Sequence, residues 1–282
     1  METTLPATEG RTFPAAPRAT RADVYPVRPE LLPEFEAEAG RYSVRFARAP
    51  EELDAVLRLR FEVFNLELDE GLEASFLTGR DEDEFDATSQ HLLVLERATG
   101  RAVGTYRLRT SELDTGARGF YSAGEFNLAC LPPQVAGESV EIGRACVARA
   151  HRNTQVLFLL WRGLAAYLKR NRKRYFFGCC SLAGTDAREG LRVLRYMEEG
   201  GHMHPTFYVP PRAGFECEGG AGAEIFGEGE PAVPKLFRTY LRFGAKVCGP
   251  PALDRAFKTT DFFVVFDARE MDAKTRRLFF EA

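Results

Sequence analysis

The chain has 282 residues, 45% of them hydrophobic and 28% charged, the balance of a water-soluble globular protein with one large domain or two small ones. Its formal net charge of −3 argues against a dedicated nucleic-acid binder, and its longest apolar run, Val156 to Trp161, falls far short of the roughly 20 residues that span a bilayer. Its six cysteines form no CxxC pair, and Glu2 and Glu9 sit in an N-terminus with no apolar stretch, so a reduced, cytoplasmic protein without a secretory signal is expected.

Residues 1–40 are rich in Pro, Ala, Arg and Glu, and Pro6, Pro14, Pro17, Pro26, Pro29 and Pro33 forbid long helices there, so this stretch reads as a mobile tail ahead of one domain over 41–282. The alternation Tyr42-Ser-Val-Arg-Phe predicts the first strand. Leu53, Val56, Leu57, Phe61 and Phe64 recur at helical spacing between Pro50 and Leu66. Strand-like runs at His91–Glu96 and Ala102–Thr110, joined by Ala98-Thr-Gly-Arg, predict a hairpin. Ser139–Ala148 reads as a strand, Gln155–Lys169 as a helix apolar nearly all round, and Tyr175–Leu182 as another strand. That order is a crossover unit, so part of the sheet should be parallel within a mostly antiparallel whole. Arg188–Glu199 and Lys235–Phe243 look helical and Phe262–Asp267 extended, while the glycine-rich Pro210–Pro231 is either a lid or simply mobile.

Charge is segregated along the chain. Glu62 to Asp86 carries ten acids and one base, Arg80, whereas Ile142 to Thr185 carries nine bases and no acid. Either run alone is explained by a solvated face; together they suggest a site that attracts an amine on one side and an anion on the other. Arg149 and Arg152 precede the buried helix, whose N-terminus favours a phosphate. Arg170, Arg172, Lys173 and Arg174 lie at its other end, where cations complement the helix dipole or would dock an acidic protein. His202-x-His204 has no acidic or cysteine partner nearby, so no metal site is expected. Cys179 and Cys180 should point to opposite faces of one strand, so at most one lines a site.

The strand, turn and helix from Ser139 to Lys169 resemble the acyl-carrier-binding core of the GNAT N-acyltransferase superfamily. The turn Arg149-Ala-His-Arg-Asn-Thr lacks the Gly-x-Gly of many acetyl-CoA users, a departure shared with the acyl-homoserine-lactone synthases and N-acyl amino acid synthases. Arg60-x-x-Val63-Phe64, Asp83-x-x-Asp86, Arg107 and Glu141-x-x-Arg144 are similar to spaced motifs of that branch. Phe120-Tyr-Ser-Ala-Gly-Glu-Phe, Leu160-Trp-Arg-Gly-Leu, Phe177-Gly-Cys-Cys-Ser-Leu and Tyr240-Leu-Arg-Phe-Gly-Ala look like the bacterial acyl-carrier-protein-dependent L-ornithine N-acyltransferases, sometimes labelled hemolysin-like. The resemblance covers roughly residues 42–282.

It implies an α/β fold: a mixed, twisted sheet with splayed central parallel strands flanked by helices. It implies transfer of a long, typically 3-hydroxy, acyl group from acyl carrier protein to the α-amine of an amino acid, with ornithine first and tyrosine, glutamine or glycine as alternatives. A non-enzymatic lipid-binding protein is the competing class. Glu141 is then expected as general base beside Arg144, with Arg60, Phe64, Asp83, Asp86, Arg107 and Glu125 around the amino acid and Asp261 a second carboxylate for a side-chain ammonium. In related synthases Arg60, Asp83, Asp86 and Arg107 would form an interior ion network, so support is as natural a role for them as substrate contact. No cofactor is expected to be tightly bound; 4′-phosphopantetheine arrives on the carrier protein. Cys146, Val147, Ala148, Arg149, His151, Arg152, Asn153, Thr154 and Gln155 should hold it, through a backbone N–H of Cys146 to Ala148 facing the thioester oxygen and turn N–H groups facing the phosphate. Phe158, Trp161, Phe176, Phe177 and Phe207 are candidates for an acyl tunnel. The carrier protein should dock on the basic residues Arg149, Arg152, Arg170, Arg172, Lys173 and Arg174, and the lipid product makes peripheral contact with the inner face of a membrane plausible.

Overall fold

A computed structural model describes residues 25–114, 118–217 and 230–281. Nine strands form one sheet: β1 Glu36–Ala39, β2 Tyr42–Phe46, β3 Gln90–Glu96, β4 Arg101–Arg109, β5 Ser139–Val147, β6 Tyr175–Ala183, β7 Lys246–Val247, β8 Ala252–Asp254 and β9 Thr259–Asp267. They run in the order β1-β2-β3-β4-β5-β6-β9-β7, with β8 also on β9, and every pairing is antiparallel except β5 with β6. The helices are α1 Pro50–Phe61, α2 Ser75–Thr78, α3 Pro133–Gly137, α4 Thr154–Arg170, α5 Ala187–Glu199, α6 Lys235–Arg242 and α7 Ala273–Arg276. The alternation of each strand sorts its side chains between two faces. Leu92, Val94, Tyr106 and Leu108 pack with α4, while Leu93, Ala102 and Cys146 pack with Val56 and Leu59 of α1.

Local chemistry accounts for the helix starts. Pro50 occupies the first turn of α1 with Glu51 and Glu52 beside it, and the Oδ1 of Asn153 caps α4 by accepting from the N–H groups of Gln155 and Val156. The helical spacing that runs on to Leu66 is met by a π-helical turn over Glu62–Glu67, which continues α1 with a changed pitch.

Packed structure starts upstream of residue 41. Tyr25 is buried against Ala47, Leu53 and Leu57, Leu32 joins the main core, and β1 pairs with β2 from Glu36 to Ala39. The prolines there break helices but leave apolar anchors free to dock; residues 1–24 of the expected tail, and 218–229 of the glycine-rich loop, lie outside the described residues.

The parallel ladder sets the position of the site. It pairs Ser139 with Tyr175, Val140 with Phe176 and Glu141 with Phe177, and ends there although both strands continue. On its other edge β5 places Gly143 opposite Arg107 and Cys146 opposite Thr105, so three steps of β5 match two of β4. Arg144 sits in that bulge at φ 47°, in the left-handed region. The bulge turns β5 away from β6 and opens a fork. At the crotch Gly178 is required, because a Cβ there would lie 2.2 Å from the carbonyl oxygen of Ile142.

Candidate functional site

Two groups of buried charge flank the fork. The first is a cage of three arginines and three aspartates. Arg60 is fully buried and donates from Nε to Asp81 Oδ2 at 2.7 Å and from Nη1 to Asp86 Oδ1 at 2.6 Å. Arg107 donates to Asp83 at 2.6 and 2.7 Å and to Asp86 at 2.9 Å, and Arg144 donates to Asp83 at 3.0 Å. The Arg144 guanidinium also lies between the rings of Tyr121 and Phe257, at 4.7 and 4.2 Å from their centroids. Burial disfavours charge on Asp86, yet Arg60 and Arg107 outweigh it and hold the carboxyl well below its ordinary range. Asp83 is shifted the same way against its own burial, chiefly by Arg107. His91, donating to or accepting from nothing charged at short range but packed 3.8 Å from Asp86, is pushed down to about 4 by burial and stays neutral at pH 7.

The second group contains acids alone. Glu125 follows the short turn Tyr121–Gly124, Asp254 ends β8 and Asp261 lies on β9 opposite Ser181, while Glu70 reaches the same wall from beyond α1. Glu125, Asp254 and Asp261 are buried, at 4%, 6% and 4% exposure. Burial, then Asp261 and Asp254, pushes Glu125 up to about 10; burial, then Asp261, pushes Glu70 up to about 7.

Between these groups the fork opens into a cavity of about 410 Å³. Gly143, Arg144 and Ala145 of β5 face Gly178 to Ser181 of β6 across it, and Glu70, Asp254 and Asp261 line one part. The remainder is aromatic: Tyr106, Trp161, Phe176, Phe177, Phe237, Tyr240 and Phe266. Trp161 is 2% exposed and packs edge-on to Phe243 with centroids 4.9 Å apart. An apolar pocket with a few converging polar groups is the usual form of a small-molecule site.

The expected site residues divide on this geometry. Arg60, Asp83, Asp86, Arg107 and Arg144 come together in the cage, completed by Asp81, which the spacing did not single out; Arg60 and Asp86 are fully buried and make no surface for substrate. Glu141 does not pair with Arg144. Its Oε1 accepts from Ser122 N at 2.7 Å and Ser122 Oγ at 2.6 Å, and its Oε2 from Tyr121 N at 2.7 Å, so it fixes the turn that carries Glu125. Phe64 lines the cavity, its ring 5.8 Å from that of Phe257.

Of the tunnel residues, Trp161, Phe176 and Phe177 line the cavity. Phe158, on α4, instead packs toward Phe279, and Phe207, in the irregular segment after α5, stacks on His204 at 3.9 Å, so neither lines the cavity. Both Cys179 and Cys180 reach the cavity wall, since the cavity passes through the opened sheet rather than lying on one face.

In the carrier-binding stretch, Ala148 N already donates to Val103 O at 2.9 Å, Cys146 packs toward α1 and Val147 pairs with Gly104 of β4, so the part of β5 that lines the cavity is Glu141 to Ala145 instead. The N–H groups of His151, Gln155 and Val156 are occupied by Ala148 O and Asn153 Oδ1, and the His151 ring lies 3.2 Å from the Tyr42 hydroxyl. The helix end therefore caps itself; Arg149, Arg152, Asn153, Thr154 and Gln155 remain exposed around it. The basic residues form two patches separated by the length of α4, about 25 Å. At one end Arg152 holds Glu67 at 2.7 and 2.9 Å. At the other, Arg170 donates to Glu30 O, Lys173 to Glu112 and Arg174 to Asp267, so these three pin chain segments together. Arg172 is exposed at a left-handed turn, φ 53°.

A mixed sheet whose one parallel strand pair among the described residues forks over a partly apolar cavity, with a crossover helix running from the fork, defines a GNAT-type acyltransferase, and residues 59–162 match the acetyltransferase (GNAT) domain family. The L-ornithine N(alpha)-acyltransferase of Agrobacterium fabrum (strain C58) is 32% identical over 246 residues, covering 80% of either chain. That of Brucella abortus (strain 2308) is 30% identical over 258 residues, covering 83% of this chain and 87% of its own. The chain belongs to this family and is an N-acyltransferase. Among solved structures, an N-acyl amino acid synthase from uncultured soil microbes aligns with a TM-score of 0.48 at 11% identity, over 82% of this chain and 93% of its own. No described helix is long and apolar enough to cross a membrane.

Proposed function

We propose that this chain transfers a long acyl group, 3-hydroxylated by preference, from acyl carrier protein to the α-amine of L-ornithine on the cytoplasmic side of the membrane. The observation that carries the reading is the cavity itself: one forked pocket has an aromatic part suited to an acyl chain and an acidic part suited to a basic amino acid. The names of the curated relatives support ornithine as acceptor. The self-capped N-terminus of α4 favours a donor carrying one phosphate over the diphosphate of coenzyme A, and exposed Arg149 offers that phosphate or the carrier a counter-charge.

In the reaction the amine nitrogen attacks the thioester carbonyl, an N–C bond forms, and the C–S bond breaks as the oxyanion collapses. The amine's proton passes to a carboxylate and then to the departing thiolate. Three donors occupy the Glu141 carboxylate, which makes it a positioning residue for Tyr121 and Ser122. Glu70, on the cavity wall and pushed up to about 7, is matched to accept a proton at neutral pH. The β5 backbone beyond Glu141, freed from β6, faces the developing oxyanion; one such donor contributes about 2.7–4 kcal/mol. Arg107, oriented by Asp83 on the cavity wall, faces the acceptor's carboxylate.

The test is acylation of an amino-acid panel from 3-hydroxyacyl-carrier, plain acyl-carrier and acyl-coenzyme A donors, read by mass spectrometry. Acylornithine from the 3-hydroxyacyl carrier is expected. No adduct with any carrier donor overturns the reading. Glu70→Gln should abolish the acidic limb of the kcat/KM pH profile near 7, whereas loss of that limb only in Glu141→Gln would return the proton transfer to Glu141.

A further inference from the structure

We infer that Asp261, backed by Glu125, binds the side-chain ammonium of the acceptor amino acid, and so selects a diamino acid over a neutral one of the same length. This rests on the acyl-transfer reading above and adds the device that sets its acceptor specificity.

Three observations carry it. Asp261 is 4% exposed and lines the cavity, and its Oδ1 has no hydrogen-bond partner. A buried carboxylate oxygen left unbonded is costly, and a cation donor reaching it from the cavity removes the cost. Next, the carboxylates are not balanced by the protein's own cations. Every aspartate of the neighbouring cage has an arginine, whereas none of the ion pairs among the described residues reaches Glu125, Asp254 or Asp261. Asp254 spends its Oδ1 on the N–H groups of Ala256 and Phe257, both at 2.9 Å, so Asp261, with its open oxygen on the cavity wall, is the acid that meets a ligand, and Glu125 stands behind it with an oxygen within 4.8 Å of an Asp261 oxygen. Finally, a single positive charge matches the pair. Burial raises both carboxyls, Glu125 up to about 10, so the two do not both carry a charge, and Asp261 turns its open oxygen to the cavity.

The same surroundings favour an organic ammonium over a metal ion. Oxygen atoms of Glu125 and Asp261 lie within 4.8 Å of the Cys179 sulfur, a grouping that has metal-ligand types. Burial, then Glu125 and Asp261, pushes the Cys179 thiol well up, so it keeps its proton and is a poor ligand. An ammonium needs only acceptors, and donates to up to three of them.

The experiment compares ornithine with norvaline, which has the same chain without the terminal amine, on the full-length wild-type protein and on Asp261→Asn and Glu125→Gln. Calorimetric binding, which does not depend on turnover, should show ornithine bound about tenfold or more tighter than norvaline by wild type. In each variant that ratio should fall toward one, with the change in KM rather than kcat where turnover is measured. Equal binding of the two amino acids by wild type overturns the inference without needing either variant to fold. So does a stoichiometric divalent metal in the purified wild-type protein that the variants lose. If ornithine binds selectively but no amino acid is acylated, the acyl-transfer reading fails while the ammonium pocket stands. If norvaline is acylated as readily as ornithine, the pocket fails while acyl transfer stands.

Discussion

The cage around Arg60 and the acids around Asp261 are both buried charge within one fold, and they answer the cost of burial in opposite ways. In the cage, three guanidiniums meet three carboxylates at 2.6–3.0 Å across most contacts, and Asp83 and Asp86 are held ionised. In the acid pocket, carboxylates face one another and are driven toward the protonated form. Charge that is neutralised internally chiefly serves the fold, tying α1, the acidic loop, β4 and β5 together beneath the fork, although Arg107 and Arg144 also reach the cavity wall. Charge left without an internal partner destabilises the resting protein and becomes useful when a substrate supplies the cation.

The largest effect that separates the two should come from Arg60→Met. It strands Asp81 and Asp86 in a dry interior and should cost about 3–5 kcal/mol, read as a drop in chemical-denaturation stability. Acid should act on the cage in the same sense. Asp83 and Asp86 titrate below their ordinary value of 3.8, so their contribution is present above that pH and is lost as pH falls toward the folded values. Thermal melts from pH 6 down to 2 should show a steep loss below about pH 4, and a flat profile would remove the cage as a major support.

The acid pocket should respond with the opposite sign. Glu125 titrates above its ordinary 4.5, so the folded state loses stability as pH rises from there toward about 10, while the unfolded chain ionises freely. Glu125→Gln should therefore raise the melting stability at pH 8 by about 1 kcal/mol while weakening ornithine selectivity, a gain in stability at the expense of function. A loss of stability in that variant would mean that its carboxyl is compensated after all. The smallest effect is reserved for Arg195→Ala, which breaks the exposed helical pair with Glu199; it should change stability by less than about 0.5 kcal/mol. Together these changes test whether burial and pairing, rather than charge count, decide what each group does.

Much of this was legible in the chain. Periodicity located β2 at Tyr42–Phe46, the β3–β4 hairpin and the strand–helix–strand crossover, because alternation and helical spacing are local consequences of which face meets the core. Of the spaced residues, Arg60, Asp83, Asp86 and Arg107 come together in the cage, while Glu141 turns to a different partner. What each does there depended on neighbours far along the chain. Glu141 holds a turn at Tyr121 and Ser122, Asn153 spends the helix end on itself, and Lys173 and Arg174 bind Glu112 and Asp267.

The sequence by itself determined the order of the main elements and the parallel crossover, since these follow from local pattern, and its resemblance to known N-acyltransferases indicated the kind of chemistry. Only the tertiary structure decided where the fork opens, because that required a bulge at Arg144 and a Cβ-free crotch at Gly178 against Ile142. It alone gathered Glu70, Glu125, Asp254 and Asp261, acids from four separate segments whose spacing carries no signal. Their shared environment exists only once the sheet is closed around them, and the desolvation that gives them their properties is a consequence of that packing.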